Sequence, residues 1–109
     1  MRKIEKTVIS AFIRDEPSRV GNTETDGLNL WLHNNLIALR YDSLHDGTGR
    51  DIYFGNAGWD TRTTQSRLNA LLALTNSDKR VATRDFTQYL IDSDGNREPV
   101  KAFPQHRIY

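Results

Sequence analysis

Residues Leu28 to His33, LNLWLH, alternate strictly between leucine and a second set made of Asn29, Trp31 and His33. A two-residue period puts the leucines on one face of a β-strand and the other three side chains on the opposite face. Asn34-Asn35 follows, and then a second apolar run from Leu36 to Tyr41. Asparagine tolerates positive φ better than other non-glycine residues, so this pair predicts a tight turn and an antiparallel return strand. Asp42 to Arg50 carries Asp46-Gly47 and a further glycine, which predicts a turn into a third strand over Asp51 to Phe54. The centre of the chain is therefore a β-meander.

The period changes beyond it. Leu68, Leu71, Leu72 and Thr75 fall at helical spacing, with Ala70 and Ala73 between them and no Gly or Pro to interrupt. Asp60, Thr61 and Thr63 stand ahead of this helix as candidate caps, and Asn76-Ser77-Asp78 ends it. On the amino-terminal side, Thr7 to Ile13 is β-branched and aromatic and short, which predicts a strand. Residues 14–27 are rich in Pro, Gly, Asn, Asp and Thr and predict a loop. RVATR and DFTQYLI, from Arg80 and Asp85, predict two short strands or one bent one; Asp92 to Gly95 then turns into an irregular tail over 96–109. The expected fold is α+β, in the order β-βββ-α-ββ, with a small antiparallel sheet packed on one main helix in a single domain over 1–109.

Composition narrows the function classes. The chain has 109 residues, 37% hydrophobic and 27% charged, which suits one globular unit. It contains no cysteine, so disulfides, thiolate metal sites and cysteine nucleophiles are excluded. Fifteen basic and fourteen acidic residues leave a formal charge of +1 with the signs interspersed, unlike a strongly basic nucleic-acid binder. No apolar stretch has the length of a signal peptide or a membrane span, so the expected compartment is the cytoplasm.

Few residues carry a chemical signature. Thr61, Arg62, Thr63, Thr64 and Arg67 crowd the start of the helix, where free amides and the positive end of the dipole favour phosphate. The competing reading is capping plus an Arg67 ion pair. Lys79, Arg80 and Arg84, with Phe86 and Tyr89 close behind, form the nearest thing to a basic patch interleaved with aromatics, although Asp78 and Asp85 interrupt it. Trp59 is expected in the core, at the corner before the helix, whereas Trp31 shares a sheet face with Asn29 and His33 and is a candidate interface anchor. His33, His45 and His106 show no HxH or HExxH spacing, and the serines lie in no nucleophile elbow. Asp42, His45 and Asp46 read as solvated turn residues. Neither a catalytic residue, a cofactor loop nor a metal set is predicted.

Two segments resemble a family of small bacteriophage-encoded proteins. Asn22 to Ala38 follows NTxxDGxxLxLHxNxIA, and Gly58 to Asn69 follows GWxTxTTxxRLN. Asn34 stands where such proteins carry glycine, and both residues accept positive φ. The resemblance implies an accessory protein acting in the cytoplasm of an infected bacterium, with no activity attached. Combined with the balanced charge, it favours a non-enzymatic binder of a host or phage protein through Asn29, Trp31 and His33. The alternative is a nucleic-acid binder using Thr61, Arg62, Thr63, Thr64, Arg67, Lys79, Arg80 and Arg84. Self-association is a further use for the Trp31 face.

Overall fold

A computed structural model describes residues 1–41 and 51–108. The chain opens with a helix, α1 (Lys3–Ile13), where a strand was expected over Thr7 to Ile13. The short apolar run hid the period: Ile4, Val8, Ile9 and Phe12 line one helical face, and Ile4 lies outside the run. Val8, Ile9 and Phe12 are fully buried, and that burial outweighs the modest helix propensity of β-branched residues. Arg2 donates its amide to Glu5 Oε1 at 3.1 Å, closing the first turn.

Residues 14–27, expected as a loop, contain a short hairpin, β1 (Ser18–Val20) and β2 (Thr23–Thr25), turned at Gly21-Asn22. Thr23 and Thr25 point inward and are buried, so polar composition concealed a strand with a core face. Next come β3 (Asn29–Leu32) and β4 (Asn35–Tyr41). Their turn is His33-Asn34, at φ 50° and 64°, one residue earlier than the Asn34-Asn35 expected, because Asn35 already pairs with Leu32. Leu30 and Leu32 are buried as the alternation requires, but Leu28 lies before the strand and is 54% exposed. A bulge shifts the pairing from Leu30↔Ala38 to Trp31↔Leu36, so the consecutive residues Ile37 and Ala38 both reach the core. The expected turn over Asp42 to Arg50 lies outside the described residues.

β5 (Asp51–Phe54) pairs with β4 and leads to α2 (Arg62–Leu74), the helix that the leucine spacing predicted. Thr61 is its N-cap, accepting from Thr64 N at 3.2 Å. Its end is a Schellman arrangement with Asn76 at φ 59° and Ser77 N donating to Leu72 O at 2.9 Å. A hairpin of β6 (Arg80–Arg84) and β7 (Thr87–Ile91) follows. The stretch expected as an irregular tail supplies β8 (Arg97–Pro99) and β9 (His106–Arg107), with Val100 and Ile108 in the core. β8 completes a three-stranded antiparallel sheet, β6-β7-β8, and β9 adds a sixth strand to β1-β2-β3-β4-β5-β9. The tail crosses β5 closely: a Cβ on Gly55 would sit 2.5 Å from Phe103 O.

The class is α+β, with two helices and nine strands among the described residues. Both helices contribute to one core with Leu30 of β3, Phe54 of β5, and Val81 and Leu90 of the second sheet. Three polar staples hold the parts together. Asn69 of α2 accepts from Val81 N (2.7 Å) and donates to Val81 O (2.9 Å), standing in for a neighbouring strand at the edge of β6. Gln88 of β7 is fully buried, donates to Thr61 O at 2.9 Å and accepts from Asn56 at 3.2 Å. Arg40 of β4 donates to the terminal α1 carbonyls of Phe12 (2.9 Å) and Ile13 (3.1 Å) and pairs with Asp15, placing a cation at that helix's negative end.

Candidate functional site

On its core face the six-stranded sheet meets α1 over β1, β2 and β3 and shares one apolar core with both helices. The strand pairing therefore decides what lies on its other face. Trp31 stands opposite Leu36, Leu39 stands opposite both Asn29 and Tyr53, and Tyr53 stands opposite Arg107. Trp31, Leu36, Leu39 and Tyr53 are each half-buried, and no helix or strand among the described residues packs across them. Polar residues edge the patch: Arg19 and Glu24 on β1 and β2, and the Asp51–Arg107 ion pair at 2.8 Å on β5 and β9. Arg19, Glu24 and Trp31 share a cleft of about 140 Å³ with His33.

Of the residues that the alternation singled out, Trp31 is placed on this open face. Asn29 shares the face but is tied to Asp26, which accepts from its backbone amide at 2.8 Å and its side chain at 3.3 Å. His33 is exposed in the turn, 3.2 Å from Asn22 Nδ2. Leu36, Leu39 and Tyr53 were missed. They are found only once the strands are paired in register, and the bulge obscures that register in the sequence.

The helix-start cluster is dispersed. Arg67 is 3% exposed at its side chain and turns inward, donating to Glu5 Oε2 (2.7 Å), Thr23 Oγ1 (3.0 Å) and Asn22 Oδ1 (3.3 Å). Ser66 gives Glu5 a further bond at 2.5 Å. Burial pushes the Glu5 carboxyl up, yet the bonds from Ser66, Arg67 and the Arg2 amide, with the Arg67 charge, outweigh it and hold the group below its ordinary value. Arg67 is thus structural cement between α1, α2 and the β1–β2 turn, which corrects its assignment to a surface cluster. Thr61 caps, and Thr64 is buried with its hydroxyl 3.0 Å from that of Thr61. Thr61, Arg62 and Thr63 remain at the surface, but they face different cavities: Arg62 a groove of about 840 Å³ beside β6, Thr61 and Thr63 a cavity of about 300 Å³ below the β3–β4 turn.

Trp59 lines that smaller cavity and is 55% exposed, not in the core as expected. The corner it was expected to fill is closed by hydrogen bonds instead: Asn56 donates to Asp60 (3.0 Å) and Gln88 N donates to Asp60 (3.2 Å). Lys79 lies half-buried near Leu90, whereas Arg80 and Arg84 are exposed on one face of β6. Asp42, His45 and Asp46 lie outside the described residues. His106 is buried, and its Nε2 accepts from Lys101 N at 2.8 Å. Burial lowers its pKa, against the carboxylate of Glu98 at 3.5 Å and with help from Lys101 and Lys79.

The family model for the Kyanoviridae Gp96 protein matches residues 1–107. The chain belongs to that phage protein family. The match supports the phage origin that the resemblance implied, and it spans the tail that supplies β8 and β9. No curated protein and no solved structure matches the chain. No helix among the described residues is long and apolar enough to cross a membrane.

Proposed function

We propose that the protein is a non-enzymatic phage accessory protein that binds a host or phage protein, in the cytoplasm of the infected cell, through the open face of its six-stranded sheet. The observation that carries this reading is the apolar group Trp31, Leu36, Leu39 and Tyr53 on a sheet face with no covering layer among the described residues. An apolar, aromatic centre with a polar rim is the anatomy of a protein interface, and Trp and Tyr are the residues that most often dominate its energetics. A standard interface takes about 800 Å² per partner.

The test compares the tagged wild type with Trp31→Ser/Leu39→Ser in nuclease-treated lysate of infected host cells, then measures affinity for any stoichiometric partner. The variant should lose the partner, with affinity weakened about 30-fold or more and melting little changed. Equal capture by both proteins would remove this face as the site. Dimerisation of the wild type that the variant abolishes would assign the face to a second copy.

A further inference from the structure

We infer that the outer face of the three-stranded sheet is a contact site for single-stranded nucleic acid, with Arg80, Arg84 and Arg97 holding phosphates and Tyr89 stacking on a base. Val81, Gln88 and Leu90 are buried, so the alternate residues of β6 and β7 point the other way. Pairing sets that face in rows. Arg80 lies opposite Ile91 and Ile91 opposite Arg97; Ala82 lies opposite Tyr89 and Tyr89 opposite Pro99; Arg84 lies opposite Thr87. Three arginines and no carboxylate occupy these rows.

The segment is not basic by count, since Asp78, Asp85, Asp92, Asp94 and Glu98 lie in it. The fold separates the signs. Glu98 falls on the opposite face, beside His106, and Asp92 is engaged by its own turn, accepting from Asp94 N (2.9 Å) and Asn96 N (3.0 Å). Asp78 and Asp94 lie in connecting segments, and Asp85 sits at the hairpin tip. Arg80, Arg84 and Arg97 are exposed, and no ion pair within 4 Å joins any of them to a carboxylate among the described residues.

Charge alone would suit any anionic partner; the aromatics favour bases. Tyr89, half-buried, stands between the small side chain of Ala82 and the short ring of Pro99. Phe86, at the tip of the same hairpin, is 92% exposed at φ 66°. A two-residue turn of this kind favours Asn or Gly, and the core gains nothing from a ring there. Arg80 and Arg84 are about 13 Å apart at ordinary strand rise, with Tyr89 between them on the next strand. Phosphate contacts flanking a stacking ring are how single strands are held without sequence reading, and paired bases do not offer their faces. Ala82 also lines the groove beside β6, where Arg62 stands with Glu5 and Asp60, so the basic track ends at the edge of β6. This surface shares no residue with the Trp31 face.

The experiment is fluorescence anisotropy of a labelled oligothymidylate of about twelve nucleotides across a salt series, with a duplex and polyglutamate as competitors. Binding should weaken with salt, and Arg84→Gln and Arg97→Gln should each weaken it further while reducing the salt slope by about 0.7. Tyr89→Leu, checked for folding by its melting curve, should weaken binding roughly 5- to 150-fold with the slope unchanged. Phe86→Asn should weaken it without loss of stability, and Trp31→Ser should leave it as it was. No binding at low salt would overturn the inference. So would affinity indifferent to Tyr89, or polyglutamate displacing the oligonucleotide as well as another single strand does; the last would assign the face to an acidic polypeptide.

Discussion

Replacing Arg67 with methionine removes a charge that is already spent inside the protein. Methionine fills most of the volume, so the loss is electrostatic. Glu5 keeps its bonds from Ser66 and the Arg2 amide but loses the 2.7 Å contact to Arg67, and Thr23 and Asn22 each lose a donor. Breaking one side of a buried ion pair costs about 3–5 kcal/mol, a large share of the roughly 5–15 kcal/mol that a domain of this size has. Thermal melting should fall by roughly 15–30 °C. The pH dependence supplies a sharper signature. In the wild type Glu5 titrates below its ordinary value, so between the folded and unfolded pKa the unfolded chain binds more protons and stability is lost as pH falls. In Arg67→Met the Arg67 bond and charge go while burial and the bonds from Ser66 and Arg2 stay, so Glu5 should titrate higher than in the wild type and its share of the acid-induced loss of stability should shrink. Urea unfolding of both proteins from pH 7 down to pH 4 reads the difference, with Glu5→Gln/Arg67→Met as the control that removes the Glu5 contribution. A loss under about 1 kcal/mol with no change in pH dependence would refute the buried pair and return Arg67 to the surface.

His106 accepts from Lys101 N through Nε2, so protonation there breaks a buried bond. Its folded pKa lies below its unfolded one, hence the unfolded state takes up the proton first and stability should decline as pH falls below about 6.5, a slope that His106→Gln should flatten in melting curves. Phe86→Asn should stabilise the protein by about 1 kcal/mol, because a residue at φ 66° with a 92% exposed ring gives up strain and little packing; a lower urea midpoint would show that the ring packs after all.

How much of this was legible follows from where each signal lies. α2 could be read because Leu68, Leu71 and Leu72 state its period locally, and β3 because Leu30 and Leu32 alternate. α1 was missed since its first apolar residue, Ile4, stands among Lys3, Glu5 and Lys6, so the remaining run looked like a strand. β1 and β2 were missed because inward threonines satisfied by Arg67 and by the Asn29 carbonyl read as loop chemistry. β9 is two residues long and exists only because β5 offers an edge. The site followed the same rule. Trp31's outward placement is local information, whereas its neighbours Leu36 and Tyr53 depend on register. Nothing near Arg67 announces that its partner is Glu5, 62 positions away.

That separation of charge bears on function as well as stability. A chain with fifteen cations and fourteen anions offers no net field, so a charged surface can arise only by sorting. Here sorting happens in two steps. Tertiary packing first withdraws Arg40 to the end of α1 and Arg67 into the core, and the loss of Arg67 is why the cationic cluster at the start of α2 does not survive folding. The pleat of the second sheet then sends Glu98 one way and Arg80, Arg84 and Arg97 the other. The six-stranded sheet sorts polarity instead, gathering Trp31, Leu36, Leu39 and Tyr53 on the side away from the helices. Two sheets thus present surfaces of unlike chemistry, while α2, packed on α1 and β6, uses Arg67 and Asn69 for cohesion. A single small core can carry both surfaces because neither draws on the residues that hold it together.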